Sequence, residues 1–151
     1  MLFVGSFGYY IIWPTIMTES IRTGRHCVFD LNVHLVFVAK YRKKIFDKEH
    51  IAALQTIAAK VCEDFGGELK ELNGERDHIH LLVSYPPKVS VSALVNSLKG
   101  VSSRLLRKQF PELESSYYKG QLWSPSYFVV SCGGAPLEKI KAYIQQQDSP
   151  K

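Results

Sequence analysis

Between Cys27 and Ser131 the apolar residues change period from segment to segment, and the order of those periods restricts the fold more than anything else in the chain. Residues 27–39, CVFDLNVHLVFVA, alternate and then run apolar, as a central strand does. Asp47 suits the N-cap of a helix to about Phe65, with Ile51, Leu54, Ile57, Ala58, Val61 and Cys62 at helical spacing and Gly66-Gly67 as its stop. Glu68 to Leu72 is a short strand, and Asn73-Gly74 with Glu75-Arg76 turns the chain into a third, Asp77 to Ser84. Ser90 caps a second helix over Val91 to about Phe110, ended by Pro111, with Leu94, Leu98, Val101, Leu105 and Leu106 as its apolar stripe. Residues 112–122 read as a loop. Trp123 to Ser131 read as a fourth strand, in which Pro125 marks an edge or a bulge. After Gly133-Gly134 a last helix starts near Pro136 and runs to about Gln147. The order β-α-β-β-α-β places the chain in the α+β class. It predicts a ferredoxin-like sandwich, an antiparallel sheet with helices on one face, followed by one further helix.

The third strand, DHIHLLVS, carries the strongest hint of chemistry. Alternation sends Ile79, Leu81 and Val83 to one face and His78 and His80 to the other. Backbone rise sets the two imidazoles about 7 Å apart, side by side. Such a pair suits two ligands of one metal ion; taken alone, the preferred reading of an HxH strand is the plainer one, two polar residues on the wet face of a half-buried strand. Asp77 either orients a ligand or caps the turn, and the turn is the preferred reading. His34, alone in the first strand, reads as structural.

With 151 residues the chain is long enough to bury a real core. Residues 1–16, MLFVGSFGYYIIWPTI, are uncharged and mostly apolar, unlike everything after them. They lack the basic start and cleavage site of a signal peptide. Gly5, Ser6, Gly8 and Pro14 break the unbroken run that a membrane span needs. They read as an upstream extension or a mis-assigned start, with residues 17–151 as a single domain beginning near Met17. A short strand or a partner-binding arm is the competing reading. Cys27, Cys62 and Cys132 are odd in number and widely spaced, which argues against a disulfide framework or a structural zinc site and fits a reducing cytoplasm.

A formal charge of +5 and a pI near 9.1 favour anionic partners only weakly. The charges are grouped, however. Lys40, Tyr41, Arg42, Lys43 and Lys44 form a basic knot with an aromatic inside it, directly after the first strand. Lys99, Arg104, Arg107 and Lys108 give the second helix a basic side. Both groups are candidates for a phosphate backbone, and both have the plain alternative of solvated surface charge. On the last helix Tyr143 and Gln147 are four residues apart and share a face.

The HIH strand in this fold order, with a tyrosine and a glutamine four residues on in the terminal helix, resembles the single-tyrosine HUH endonucleases. More narrowly, the chain resembles the transposases of the IS200/IS605 insertion sequences. The similarity runs from about Arg25 to Gln147 through NVHLVFVAKYRKKIF, NGERDHIHLLVSYPPKVSVSALVNSLKGVSSRLLRK, LWSPSYFVVSCGG and YIQQQ.

That resemblance implies an enzyme that cleaves and rejoins single-stranded DNA at insertion-sequence ends through a 5′-phosphotyrosine intermediate. His78, His80 and Gln147 would be the metal ligands and Tyr143 the nucleophile. The metal would be magnesium or manganese. The partners implied are single-stranded DNA with subterminal hairpins and a second copy of the chain in a homodimer, with no membrane. Tyr41, Tyr85, Tyr118 and Tyr127 lack a glutamine four residues on, and Tyr117 and Gln121 have that separation only within the stretch read as a loop, so none of them matches the helical pair. Two alternatives stay open: a hairpin-binding module that no longer cuts, and a domesticated relative that processes chromosomal repeats.

Overall fold

The structure is a computed structural model describing residues 2–4, 10–12, 21–116, 120–132 and 145. The chain divides into two compact units, residues 1–30 and residues 31–151. In the first unit β1 (Leu2–Val4) pairs with β2 (Tyr10–Ile12), and β3 (Arg22–Thr23) pairs with β4 (Val28–Phe29), both antiparallel.

The second unit follows the order read from the sequence. It comprises β5 (Asn32–Val38), α1 (Lys48–Asp64), β6 (Glu68–Gly74), β7 (His78–Ser84), α2 (Val91–Gln109) and β8 (Phe128–Ser131). The sheet order is β6-β7-β5-β8 with every neighbour antiparallel. This is the ferredoxin-like arrangement: β5 and β6 run parallel with β7 inserted between them, each α-helix serving as a crossover.

Alternation along the strands decides which side the helices cover. Val33, Leu35 and Phe37 of β5 and Ile79, Leu81 and Val83 of β7 join Ile51, Leu54, Ala58, Val61, Leu94, Leu98 and Leu106 in one buried cluster. Deleting one of these leucines costs about 2–5 kcal/mol. The helix starts are fixed by side chains. His50 Nδ1 accepts from the Asp47 backbone N–H at 2.9 Å, and Ser90 Oγ accepts from the Ala93 N–H at 3.1 Å. Gly66, at φ +76°, turns the chain out of α1.

Two strands are shorter than the sequence pattern suggests. Residues 27–39 divide at Asp30-Leu31: β4 pairs with β3, and only β5 enters the main sheet. Aspartate is a poor strand former, and it falls at the break. In residues 123–131 only Phe128–Ser131 form a strand, and Trp123 makes an isolated bridge to Ala39. Between them Pro125 offers no N–H, and the Ser124, Pro125 and Ser126 carbonyls all turn onto the Lys99 ammonium at 2.7, 3.3 and 3.0 Å. The expected loop at 112–122 begins with a 3₁₀ turn, Pro111–Ser116. The last helix expected over residues 136–147 lies outside the described residues, apart from Gln145.

Candidate active site

On the sheet face away from the helices, β7 presents His78 and His80, opposite Val38 and Val36 of β5. Their ring centroids lie 5.1 Å apart with the planes at 78°. This face is not open water at that point: His80 is 7% exposed and Leu82 is fully buried.

Each histidine is held through Nδ1. The Nδ1 of His78 lies 2.7 Å from Oδ1 of Asp77, whose Oδ2 faces Arg42 Nε at 3.8 Å. The carboxylate accepts, so His78 carries its proton on Nδ1 and has Nε2 as its electron-pair donor. The turn-cap reading of Asp77 gives way here: its carboxylate holds a histidine. On the other ring, Nδ1 of His80 lies 3.0 Å from Nε2 of His34.

Burial, with smaller contributions from the positive forms of His78 and His34, pushes the His80 pKa down to about 4. Burial also lowers the pKa of His34. Near neutral pH these rings are uncharged, the form in which imidazole binds a metal. A pair of imidazoles on one strand, one of them backed by a carboxylate, suits a divalent cation. Glu75, Asp77 and His78 also bring ligand atoms within 4.8 Å of one another. With Asp77 facing His78 Nδ1 and Arg42, this cluster reads as support around the histidine.

Tyr143 and Gln147 lie outside the described residues. Gln145, between them in sequence, donates from Nε2 to Glu71 Oε2 at 3.0 Å. Glu71 pairs with Leu82 in the ladder and therefore belongs to the histidine face.

The basic residues separate into three environments. Lys40–Arg42 form a tight turn in which Tyr41 and Arg42 adopt φ of 60° and 52°, left-handed values that non-glycine residues rarely take. The turn follows Val38, the ladder partner of His78, and it brings Arg42 to Asp77. Lys40 Nζ donates to Gln121 Oε1, Tyr41 is 66% exposed, and Lys43 and Lys44 are exposed. Arg104, Arg107 and Lys108 of α2 line a shallow groove with Pro111 and Glu114 of the following 3₁₀ turn, in the helix layer away from the histidines. Lys99 is half-buried, its ammonium on three carbonyls and 5.6 Å from the Phe37 ring centroid. Burial lowers its pKa.

His34 and Glu75 were not singled out as site residues by the sequence pattern. The register of β5 against β7 is what places His34 beside His80, and a single histidine in a strand gives no sign of it.

The family Transposase IS200 like matches residues 27–147, a span that includes the main sheet, both helices and the histidine pair. The transposase for insertion sequence element IS200 of Salmonella typhimurium (strain LT2) is 37% identical over 122 residues, 81% of this chain and 80% of that protein. The ISDra2 transposase TnpA of Deinococcus radiodurans is 31% identical over 138 residues, 91% of this chain and 96% of that one. A crystal structure from Deinococcus radiodurans R1, assigned as a transposase, superposes with a TM-score of 0.69 at 32% identity, covering 85% of this chain and 98% of that one. A REP-associated tyrosine transposase bound to a REP hairpin shares the fold, with a TM-score of 0.55 at 12% identity over 82% of this chain and 67% of that one. With matches this extensive on a common fold, the chain belongs to the IS200-like family of transposases.

Proposed function

We propose that this transposase cuts and rejoins single-stranded DNA at insertion-sequence ends, with His78 and His80 as metal ligands and Tyr143 as nucleophile. The observation that carries the reading is that the two neighbouring histidines are engaged at the same ring nitrogen. Each is engaged through Nδ1, so a ligand bond from either ring runs through Nε2. Gln147 would complete the protein ligands, and Asp77 holds the His78 ring. When bound, magnesium or manganese would polarise a phosphoryl oxygen of the scissile phosphate and offset charge in the transition state.

The tyrosine Oη attacks phosphorus and gives up its proton to solvent. The P–O3′ bond breaks, and the 3′ oxygen takes up a proton as it leaves. The products are a free 3′-OH and a 5′-phosphotyrosine link that conserves the phosphodiester energy. Attack by the 3′-OH of another strand reverses the step, so joining needs no nucleotide cofactor.

Lys43, Lys44 and Arg42 are the best-placed backbone contacts, because their turn adjoins the histidines. The α2 residues Arg104, Arg107 and Lys108 would meet a second stretch of DNA, such as the stem of a hairpin near the element end. Support for a homodimer comes from β8. It lies at the sheet edge with Phe128, Val129 and Val130 exposed, and among the described residues it pairs only with β5.

The test is cleavage of labelled element ends offered as single strand and as duplex, with magnesium or manganese. Single-strand nicking is expected, with His80→Ala slowing it on the order of 10²–10³, the scale for losing one charge-stabilising group. Undiminished cutting in EDTA, or equal cutting of the duplex, contradicts the reading.

A further inference from the structure

His34 stands one ladder step from His80, opposite Leu82, on the same sheet face. The two rings lie 21° from coplanar with centroids 5.2 Å apart. Their Nε2 and Nδ1 atoms are 3.0 Å apart, so the centroid separation leaves about one ring radius on either side of that contact. The rings therefore meet edge to edge in nearly one plane, along the lone pair of one nitrogen and the N–H of the other. Face-to-face stacking would put the centroids much closer at the same tilt. On another side of His34, the Phe128 ring makes an edge contact at 6.2 Å. The half-buried ring is thus held by a neighbour in β7 and another in β8.

Only one direction of this hydrogen bond is compatible with a metal at His80. If His34 donated, the neutral His80 ring would carry its proton on Nε2 and have no electron pair there for a cation. If His80 donates from Nδ1, its Nε2 has the electron pair, the same state that Asp77 imposes on His78.

We propose that His34 is a positioning residue, whose Nε2 accepts from Nδ1–H of His80 and so fixes both the tautomer and the tilt of that ring for metal binding through Nε2. The two ligands of the HIH strand are then each set by a different partner: a carboxylate in the adjoining turn for His78, a histidine in the central strand for His80. The idea rests on the metal reading of the site, and it adds a residue that the HIH pattern does not contain.

The test uses the full chain as wild type, His34→Phe and His34→Gln. Phenylalanine keeps a ring in the space and removes the acceptor. Glutamine offers an amide oxygen to accept the same bond. Manganese binding is followed by loss of the free-ion electron paramagnetic resonance signal. His34→Phe should weaken binding about 10–100-fold, the usual cost of losing a partner behind a metal-bound histidine, and His34→Gln should recover most of it. In metal-free, nitrogen-15-labelled protein, the ring-nitrogen spectrum should show His80 with its proton on Nδ1 in wild type, and a loss of that preference in His34→Phe. Thermal melting separates these effects from unfolding.

Wild-type affinity in a folded His34→Phe variant would overturn the positioning role and leave the metal reading intact. So would a wild-type His80 protonated on Nε2 without metal. A wild type that binds no manganese would overturn the ligand role of His80, and this proposal with it.

Discussion

At His80 a single side chain joins burial, titration and the proposed chemistry. Its folded pKa of about 4 lies below the ordinary value of 6.5, and His34 is shifted in the same direction. Between those values the unfolded chain binds more protons than the folded one, so folding stability falls as pH drops through that window and is regained above it. Melting in the presence of a chelator should therefore show a midpoint that declines from pH 6.5 to pH 4. His80→Gln should flatten the decline, and an unchanged slope would contradict the assignment. Asp77→Asn keeps the shape of the side chain but weakens its grip on His78 Nδ1, and should cost roughly 10-fold or more in manganese affinity. Isothermal titration calorimetry would check it. At this scale the HIH alternation was legible because a strand has period two. Asp77 was ambiguous, since the same residue type at a strand start serves a turn or a neighbouring ring equally well. His34 was hidden, because its role depends on a pairing register 46 residues away.

Elements follow local rules where local chemistry dominates, and depart from them where a distant group competes. Both helix starts were readable from Asp47 and Ser90, and the central ladders from apolar alternation. Ser90→Ala should cost about 1 kcal/mol in chemical denaturation. The fourth strand was not readable to its true length, because Lys99 on α2 draws three carbonyls of residues 124–126 out of any ladder. That contact changes how the basic side of α2 is understood: three of the four cations expected there remain on the outer layer, while Lys99 holds a turn. Lys99→Met should destabilise the fold by about 1–3 kcal/mol through unpaired carbonyls. It should leave the salt dependence of DNA binding unchanged. Lys43→Ala should do the reverse, with stability intact and the slope of log affinity against log salt reduced by about one phosphate contact. Denaturant melts and fluorescence anisotropy across a salt series distinguish the two.

For the whole molecule, the sheet has an edge that needs managing. Phe128, Val129 and Val130 expose apolar surface along β8, an arrangement prone to pairing with another strand. In a homodimer joined through this edge, Val130→Lys should shift sedimentation from dimer to monomer and lower strand transfer with it. A dimer unaffected by the substitution would place the interface elsewhere. The family was legible across residues 27–147, and the fold from β5 to β8, because the order of periods and the HIH strand coincide there. The division at 30/31 was not, since the change in sequence character falls earlier, after residue 16. The most direct test of the proposed reaction is covalent trapping. Labelled single-stranded DNA carrying the chain's own element end is mixed with wild type or Tyr143→Phe in magnesium or manganese, then resolved on a denaturing gel. The expected result is label travelling with the protein, dependent on metal and absent in Tyr143→Phe. An adduct that survives this substitution, or tight binding to a verified element end with no adduct, would contradict a phosphotyrosine mechanism at this site.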